Sequence, residues 1–467
     1  MWISVDPADS LPLTRQLYQK MKAMILEGTL TPGEKLPSSR TLARDLSISR
    51  NTVLEVYNQL IAEGYLEGFH GSGTVVADGI LKKYQNYTKI SVPVSSVPVM
   101  EDSKLIDFRS GVPALELFPY KEWGKLYYQI CSELPSGSLR YLKPEGSQEL
   151  RAAISQYLYR TRGIQCSEEQ IMIISGSTQG LSLISKLLYR EPLGVITENP
   201  THPGLCKVIT SAGYQITGIP VDEKGILTKE LTPSEQVAFI YATPSHQYPM
   251  GGILPVQRRI ELIQYALDNN CYILEDDYDS EFRYEGPPVS SLYELNPEKV
   301  IYIGSFSKIL APALRLGFLL LPRELIAPYR QLKMYSDVHS EAVTQYTLAK
   351  FIREGCLEKH IWKTKKLYQK KRDYLLLQLK NHWKDEYEVK GQAAGLHIVV
   401  CFPGITFTKE LTAKLLFNHV KIYPLRHYYL EEAEDDQHDI LLGYAHLSFE
   451  EISEGIETLR RICCDTQ

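Results

Sequence analysis

The sequence lacks the features that mark membrane, secreted and zinc-binding proteins. Its longest apolar runs, such as 316–321, are far shorter than the roughly 20 residues of a membrane-spanning helix. Its eight cysteines include no CxxC pair, which argues against a disulfide framework and against a structural zinc site. The first ten residues show no basic segment followed by an apolar one, so no secretory signal is expected. We therefore expect a cytoplasmic protein without a bound metal and without a membrane partner.

The sequence also lacks the excess of basic residues that many nucleic-acid-binding proteins carry. Its formal net charge is -5, and residues 1–79 contain seven Lys or Arg against nine Asp or Glu. The basic residues are nevertheless concentrated, because Lys35, Arg40, Arg44 and Arg50 fall within sixteen residues. A local concentration of positive charge matters more for DNA binding than the total charge. The composition therefore does not exclude a DNA-binding protein.

The chain is long enough for more than one hydrophobic core. At 467 residues it exceeds what a single core usually fills. Periodic patterns fail between residues 80 and 104, where proline and serine steps are typical of a linker. We predict a first domain at 1–79, this linker at 80–104 and a larger domain at 105–467. The last part of the larger domain, from about residue 327, is predicted to be a small α+β subdomain.

Residues 12–79 carry the pattern of three helices and a two-stranded hairpin. Apolar residues of the third segment recur at i, i+3, i+4, i+7 and i+8 from Val53 to Ile61, which predicts one buried helix face. A tight turn at Ser47-Ile48 separates this helix from the one before it. Glycines at 71 and 73 suit the hairpin turn. The pattern predicts a winged helix-turn-helix.

A helix-turn-helix reads DNA bases with the first turn of its second helix. Arg50 and Asn51 occupy that turn behind the predicted N-cap Ser49, and they are side chains well matched to guanine and adenine edges. The wing tip could reach the DNA backbone or the minor groove. The predicted DNA-contacting residues are Arg40, Ser49, Arg50, Asn51, Thr52, His70 and Gly71. The alternative interpretation is a winged helix that contacts another protein.

These segments resemble the GntR superfamily of bacterial regulators. The resemblance rests on the stretches 37–43, 49–53, 63–66 and 71–74, and it covers most of residues 11–77. It implies that double-stranded operator DNA is a partner. Leu54 stands where some members carry a further arginine that contacts DNA, which leaves the operator sequence open.

Beyond the linker, short apolar runs alternate with helical segments. The runs are 171–174, 194–197, 237–241, 271–274, 300–303 and 314–321. Strands that alternate with helices form a largely parallel sheet covered on both faces. We therefore predict an α/β architecture for this domain.

The ends of these runs carry the groups that pyridoxal phosphate needs. That cofactor requires a lysine amine, a carboxylate for its ring nitrogen, a hydroxyl for its phenolic oxygen and donors for its phosphate. Lys308 follows one strand, and another ends in the run Glu275, Asp276, Asp277, Tyr278. The carboxyl ends of parallel strands are where open α/β sheets bind ligands. The candidate phosphate donors are Ser177, Thr178, Ser305, Ser307 and Arg315.

The order of these groups resembles that of fold type I aminotransferases over roughly residues 105–455. The resemblance implies that Lys308 forms the internal aldimine, that Asp276 pairs with the pyridinium nitrogen and that Tyr278 contacts the phenolic oxygen. Asp277 is a close alternative to Asp276. The phosphate is implied to be held by Ser177, Thr178, Ser305, Ser307 and Arg315, with Tyr141 from a second subunit. His202 stands where the family stacks a tyrosine on the cofactor ring, either as an adequate flat ring or as a group that titrates near neutral pH.

A GntR-type winged helix fused to an aminotransferase-like domain is the layout of the MocR family of regulators. This resemblance implies a homodimeric, pyridoxal-phosphate-dependent transcriptional regulator that senses an amino acid or amine through exchange of the aldimine at Lys308. Two alternatives stay open. One is a working aminotransferase that also binds DNA, and the other is a regulator that senses pyridoxal phosphate itself.

Departures from the aminotransferase pattern favour sensing over turnover. The asparagine that usually precedes the glycines at 251 and 252 is missing, and Gln247 or His246 is the candidate substitute. The segment 440–446 lacks the arginine that binds a substrate carboxylate in these enzymes. Arg426 is the nearest candidate for holding an effector carboxylate, and a surface loop arginine is the other interpretation. We therefore expect little or no transaminase turnover.

Overall fold

The computed structural model describes residues 3–69, 73–79, 104–234, 236–287, 289–384, 386–431 and 438–464. The chain forms two compact units, Met1–Glu101 and Asp102–Gln467. The wing-tip residues His70 and Gly71, and nearly all of the predicted linker, lie outside the described residues.

Two of the three helices of the first unit, α2 and α3, begin where the sequence supplies a capping side chain. The elements are α1 (Leu13–Leu26), α2 (Ser39–Asp45), α3 (Arg50–Ala62), β1 (Leu66–Phe69) and β2 (Gly73–Val76). Ser38 Oγ accepts a hydrogen bond from the backbone N–H of Thr41 at 3.1 Å, and Ser49 Oγ accepts one from Thr52 at 3.0 Å. These bonds satisfy N–H groups that a helix start otherwise leaves without a partner. Ser47, in the turn between α2 and α3, has the left-handed φ of +55°.

One hydrophobic core holds the first unit together. β1 pairs with β2 in an antiparallel hairpin, with Leu66 opposite Val76. The core draws most deeply on residues of α1 and α3 that are fully buried, namely Leu17, Met21, Val53, Val56 and Leu60. The three helices and the hairpin confirm the predicted winged helix-turn-helix.

The second unit alternates strands and helices along most of its length. Its strands are β3 (Ile106–Asp107), β4 (Ile171–Ile174), β5 (Gly194–Asn199), β6 (Ile216–Asp222), β7 (Gly225–Ile226), β8 (Val237–Ala242), β9 (Tyr272–Asp277), β10 (Val300–Ser305), β11 (Gly317–Leu320), β12 (Glu388–Lys390), β13 (His397–Cys401), β14 (Val420–Lys421), β15 (Tyr423–Pro424) and β16 (Asp439–Gly443). Its helices are α4 (Tyr120–Glu133), α5 (Gln148–Arg162), α6 (Ser177–Leu188), α7 (Pro203–Ser211), α8 (Val256–Asp268), α9 (Leu292–Leu295), α10 (Arg323–Met334), α11 (Ala342–Arg353), α12 (Cys356–Trp383), α13 (Lys409–Phe417) and α14 (Phe449–Cys464). Among the described residues, none of the helices combines the length and the hydrophobicity needed to span a bilayer.

Eight of these strands form one sheet in the order β4-β11-β10-β9-β8-β5-β6-β7. β10, β9, β8, β5 and β6 run parallel to one another. β11 is antiparallel to both of its neighbours, and β7 is antiparallel to β6. This mostly parallel sheet confirms the predicted fold class. Because the parallel strands end at the same edge, the segments that follow β5, β8, β9 and β10 meet there.

Helices cover both faces of the large sheet. Because side chains alternate along each strand, neighbouring residues of one strand pack on opposite faces. On β4, Ile171 and Ile173 join a core shared with α4, α5, α8 and α11. Met172 and Ile174 join a second core, shared with α6, α7 and α10. The strand is therefore apolar throughout, as expected for a sheet that faces no water on either side.

A third core surrounds a smaller sheet in the order β12-β13-β16-β15. Its members include Phe108, just after β3, and Tyr368 in the middle of α12. α10 and α11 instead pack on the large sheet, and so does Leu357 at the start of α12. The core of the small subdomain thus begins within α12 and includes residues from the start of the second unit. The sequence predicted instead that this subdomain begins near residue 327. A helix pattern shows which face is apolar but not which sheet that face will cover.

Candidate functional site

A cavity of about 240 Å³ lies at the edge of the large sheet where the parallel strands end. The segments that follow β5, β8, β9 and β10 line it, together with the start of α6 and a stretch after β3. Its lining includes nine of the ten residues predicted to bind the cofactor: Ser177, Thr178, His202, Asp276, Tyr278, Ser305, Ser307, Lys308 and Arg315. Their individual roles stay predictions, while their convergence on one cavity is a finding.

Lys308 presents a partly buried amine to this cavity. Burial lowers the pKa of Lys308, and the positive charge of Arg109 lowers it further. The uncharged amine is the nucleophilic form of a lysine. A Cβ built on Gly111 would lie 2.9 Å from Lys308 Nζ, and the φ of Gly111 is +68°. Glycine at this position therefore keeps the space around the amine open.

Asp276 and Asp277 are neighbours in β9 and point to opposite faces of the sheet. Asp276 lines the cavity, and Tyr241 donates a 2.6 Å hydrogen bond to its Oδ2. Asp277 forms a 2.8 Å ion pair with Arg162 and accepts a 2.6 Å hydrogen bond from Tyr302. Of the two carboxylates that the sequence left as alternatives, only Asp276 lines the cavity.

The second oxygen of Asp276 fits the ring nitrogen of pyridoxal phosphate. Asp276 Oδ1 is buried and, within the part of the chain that the structure describes, has no hydrogen-bond partner. Burial raises the pKa of Asp276 to about 6. A protonated ring nitrogen would supply both the missing donor and the positive charge that stabilises a carboxylate. A buried acceptor without a partner at a cavity wall is the kind of group that a ligand completes.

The start of α6 and the guanidinium of Arg315 form a site suited to an anion. α6 begins at Ser177 after Gly176, whose φ is +88°. A Cβ on Gly176 would lie 2.6 Å from Arg315 Nη2, so glycine lets the guanidinium approach the helix end. Hydroxyl groups line the same cavity, namely those of Ser177, Thr178, Ser305 and Ser307. Helix N–H groups, hydroxyls and a guanidinium together suit a phosphate.

His202 caps α7 and lines the cavity with its ring. Its Nδ1 accepts a 3.0 Å hydrogen bond from the backbone N–H of Gly204. Burial lowers the pKa of His202, and the charge of Lys308 lowers it further. Both effects favour the uncharged imidazole.

Tyr278 belongs to a buried hydrogen-bonded cluster behind the cavity wall. Its hydroxyl lies 3.0 Å from His246 Nδ1, and the same nitrogen lies 3.0 Å from Asp279 Oδ2. His246 and Asp279 are buried. The cluster holds the Tyr278 phenol at the cavity without requiring a ligand.

The structure does not bring Gln247 or His246 to the place of the missing asparagine. Neither residue lines the cavity. The Gln247 amide donates instead to Glu198 Oε2 at 3.4 Å and to the backbone carbonyl of Pro200 at 3.0 Å. Tyr248 and Thr243 are the residues of this segment that line the cavity. The side chain of Gln247 is one methylene longer than that of an asparagine, and these hydrogen bonds of its amide hold the loop in place.

A larger cavity of about 880 Å³ adjoins the first, and we call it the outer chamber. The two cavities share Ser110, Gly111, His202, Tyr248, Lys308 and Pro312. The outer chamber also has basic lining residues, Arg109, Lys409 and Lys421. Arg109 was not predicted from the sequence, because nothing in the local pattern distinguishes an arginine two residues after the short strand β3.

Two predicted site residues lie outside both cavities. Tyr141 is 86% exposed, and its ring contacts that of His339. Arg426 lines neither cavity, whereas the adjacent His427 lines the outer chamber. The pKa of Glu410 is lowered first by hydrogen bonds from the backbone and from Thr408, and the charge of Arg426 adds to this effect. The structure therefore places Arg426 outside both cavities.

In the first unit, the start of α3 presents a polar surface. Arg50 and Asn51 are exposed, and Arg50 Nε lies 3.4 Å from Ser39 Oγ on α2. Arg40 is also exposed, near the start of α2. Ser49 contributes as the cap of α3, so its hydroxyl is already bonded to Thr52. This geometry is the one in which a helix-turn-helix offers the first turn of its second helix to a major groove.

Comparisons with known proteins match both units. Residues 103–459 match the family model described as aminotransferase class I and II, and residues 13–76 match bacterial regulatory proteins of the gntR family. An uncharacterized HTH-type transcriptional regulator of Bacillus subtilis, YdeL, is 34% identical over 96% of each chain. The probable rhizopine catabolism regulatory protein MocR of Rhizobium meliloti is 31% identical over 98% of this chain and 94% of its own. The pyridoxine biosynthesis transcriptional regulator PdxR of Corynebacterium glutamicum is 32% identical over 79% of each.

A solved structure supports the fold of the second unit. The α-aminoadipate aminotransferase LysN of Thermus thermophilus, complexed with N-(5'-phosphopyridoxyl)-L-leucine, superimposes with a TM-score of 0.70. It is 27% identical and covers 78% of this chain and 92% of its own. The two resemblances noted in the sequence, to GntR regulators and to aminotransferases, are therefore confirmed.

Proposed function

This chain belongs to the MocR family of transcriptional regulators, and we propose that it binds operator DNA through α3 and senses an amino acid or another primary amine at Lys308. The observation that supports the proposal is that one chain contains both a DNA-binding domain and a cavity suited to a cofactor. One part is a winged helix with an exposed Arg50 and Asn51. The other is an aminotransferase-like cavity in which Lys308 and Asp276 face the same space.

Pyridoxal phosphate is the cofactor that this cavity suits. Asp276 would hold the ring nitrogen, Tyr278 the phenolic oxygen and His202 the ring face. The α6 N-terminus and Arg315 would hold the phosphate. When bound, pyridoxal phosphate supplies an electrophilic carbonyl carbon to which primary amines add reversibly. Lys308, whose amine is partly buried with a lowered pKa, is the residue that an effector amine would displace.

Sensing requires that the effector prefer one conformation of the protein. A ligand shifts a conformational equilibrium only by the difference in its affinity for the two states. An effector amine that took the place of Lys308 would release this side chain and would add new groups to the cavity. We propose that this difference is what alters operator binding.

Spectroscopy and DNA binding together test this function. Purified protein loaded with pyridoxal phosphate should absorb visible light, and an amino acid or amine effector should shift that absorption and change operator affinity. Lys308→Ala should abolish both the shift and the effector's influence on DNA binding. Lys359→Ala, which removes an exposed lysine of α12 outside both cavities, is the matched control. A wild-type protein that binds no cofactor would contradict the proposal.

A working aminotransferase that also binds DNA is the second candidate. It is favoured by the match to aminotransferase class I and II and by the likeness to LysN. Against it, residues 246–247 do not line the cavity, and Arg426 lies outside it. Steady transfer of an amino group from an amino acid to a keto acid would select this candidate. A spectral shift that stops after a single exchange would select the regulator.

A regulator that senses pyridoxal phosphate itself is the third candidate. The relative named as a pyridoxine biosynthesis regulator favours it. Operator binding measured with and without the cofactor, in the absence of amines, separates the two regulators. A response to the cofactor that amines leave unchanged would select this third function.

We further propose a homodimer in the cytoplasm, bound to a repeated or palindromic operator. Large aromatic side chains of the second unit are exposed to solvent, including Tyr128 at 75%, Tyr141 at 86% and Tyr335 at 85%. Exposed aromatic residues are typical of protein interfaces. An exposed Tyr141 is free to reach a neighbouring subunit, as its predicted role requires. Sedimentation analysis of the purified protein tests the dimer.

A further inference from the structure

The outer chamber carries positive charge that the cofactor site does not use. Besides Lys308, three basic side chains line it, those of Arg109, Lys409 and Lys421, and none of its described lining residues is an Asp or Glu. It opens directly onto Lys308, which lines both cavities. A cavity walled by one sign of charge attracts ligands of the opposite sign.

Arg109 is a cation of this chamber that forms no ion pair with a carboxylate of the described residues. Among the described residues, no ion pair or hydrogen bond involves its guanidinium. Lys421 is different, because its Nζ lies 3.7 Å from Asp107 Oδ2. Asp107 in turn accepts a 2.9 Å hydrogen bond from Tyr423. Lys421 is thus partly neutralised, whereas Arg109 keeps its charge available.

The backbone places Arg109 close to the reactive amine. Arg109 is two residues before Gly111, at which a Cβ would come within 2.9 Å of Lys308 Nζ. Two residues of chain span at most about 7 Å. The backbone is anchored on both sides of Arg109, since Phe108 accepts a 2.8 Å hydrogen bond from the N–H of Gly443 and Ser110 Oγ lies 2.7 Å from the Tyr248 hydroxyl. The guanidinium therefore lies within the reach of one small molecule whose amine is at Lys308.

We propose that the outer chamber is the subsite for a carboxylate of the effector and that Arg109 is its principal ligand, flanked by Lys421 and Lys409. This inference rests on the proposed function and narrows it: the effector is an amine that carries a carboxylate, not a plain amine. Guanidinium is suited to this role because its planar fork matches both oxygens of a carboxylate. The inference also replaces Arg426, which lines neither cavity, as the residue that selects the effector.

The subsite is tested with pairs of probes that differ only in carrying either a carboxylic acid or its amide. The protein loaded with pyridoxal phosphate is titrated, by its visible spectrum, with glycine and glycinamide, alanine and alaninamide, and β-alanine and β-alaninamide, so that the amide of each pair carries no carboxylate. In at least one pair the acid should bind about 10-fold to 100-fold more tightly than its amide, the range that a charge-assisted hydrogen bond provides. Arg109→Ala should reduce that preference to about one, and Arg109→Lys should retain part of it. Equal binding of acids and amides by the wild type would overturn the inference.

Two further variants separate Arg109 from general charge effects. Lys359→Ala removes the same charge from an exposed position and should leave the acid preference unchanged. Arg426→Ala tests the alternative assignment directly. If it, and not Arg109→Ala, abolishes the preference, Arg426 holds the carboxylate and the inference is wrong.

A probe without an amine distinguishes failure of this inference from failure of the proposed function. Binding of succinate is measured by calorimetry in the wild type and in Arg109→Ala. If no amine changes the spectrum but succinate binding depends on Arg109, the amine-sensing function fails and the subsite stands. If amines bind without any preference for acids, the subsite fails and amine sensing stands. If neither amines nor succinate bind, both are refuted.

Discussion

Replacing Asp276 by asparagine should make the cofactor-free protein more stable while it weakens cofactor binding. Asp276 is buried, its pKa is raised to about 6 by burial, and its Oδ1 has no partner within the described residues. The ordinary pKa of an aspartate is about 3.9. Because the folded state holds the proton more tightly than the unfolded state, this group's contribution to stability is full below about pH 4. It falls as the pH rises through about 6.

The size of this effect follows from the two pKa values. A difference of about two pH units corresponds to about 3 kcal/mol of unfolding free energy lost at pH 7, with 1.36 kcal/mol per unit. Asp276→Asn keeps the shape and can still accept the hydrogen bond from Tyr241. The cofactor-free variant should therefore be more stable than the wild type at pH 7, by up to about 3 kcal/mol, and the gap should close near pH 4. Urea unfolding between pH 4 and pH 8 measures it.

The same substitution removes the charge opposite a protonated ring nitrogen. Loss of a hydrogen bond to a charged group costs about 1.5 to 3 kcal/mol, so the dissociation constant for pyridoxal phosphate should rise about 10-fold to 100-fold. Titration of cofactor-free protein with pyridoxal phosphate, followed by absorbance, measures this change.

Asp277→Asn is the matched control, because it alters the neighbouring carboxylate on the other face of β9. Loss of the Asp277 charge leaves Arg162, whose side chain is 8% exposed, without an ion-pair partner. Breaking a buried pair in this way destabilises a protein by about 3 to 5 kcal/mol. Asp277→Asn should therefore destabilise the fold and leave cofactor affinity nearly unchanged. The reasoning is refuted if Asp276→Asn destabilises the cofactor-free protein at pH 7, or if Asp277→Asn weakens cofactor binding more than Asp276→Asn does.

Three further substitutions test other parts of the chain. Gly111→Ala places a Cβ 2.9 Å from Lys308 Nζ at a φ of +68°, so the folded variant should lose the visible absorption of the cofactor; unchanged absorption would contradict the close approach. Gly176→Ala places a Cβ 2.6 Å from Arg315, so phosphate-dependent cofactor affinity should fall, whereas pyridoxal without phosphate should bind as weakly as it does to the wild type. Arg50→Ala should abolish specific operator binding in gel-shift assays and leave the cofactor spectrum intact, and a retained footprint would contradict the assignment of α3.

The first unit could be predicted almost completely from its sequence. Caps, turns and periodicity are local signals, and Ser49 and Ser47 act in the structure as those signals indicate. The large sheet was predictable for a related reason. Its strands are apolar on both faces, so they stand out as continuous runs between helices. The small subdomain was less predictable, since its core joins Phe108 to residues of α12 that are far away in sequence.

The cofactor residues were predictable as a set, because they follow the carboxyl ends of strands that the topology brings to one edge. The choice between Asp276 and Asp277 was not. It depends on which face of β9 meets the cavity, and a one-residue change of register reverses that face. The failure of His246 and Gln247 to reach the cavity has the same origin, since the fold of their loop turns both side chains toward buried partners.

The sequence by itself determined the two-part organisation of the chain and the chemical identity of its key groups. Those properties depend on local patterns and on residue types, which folding does not alter. Only the tertiary structure decided which groups share a space. It brings Arg109, from the start of the second unit, to the same cavity as Lys308, while Arg426 lines neither cavity. The physical reason is that a charge acts over distance in space, and the distance between two side chains is set by packing rather than by their separation along the chain.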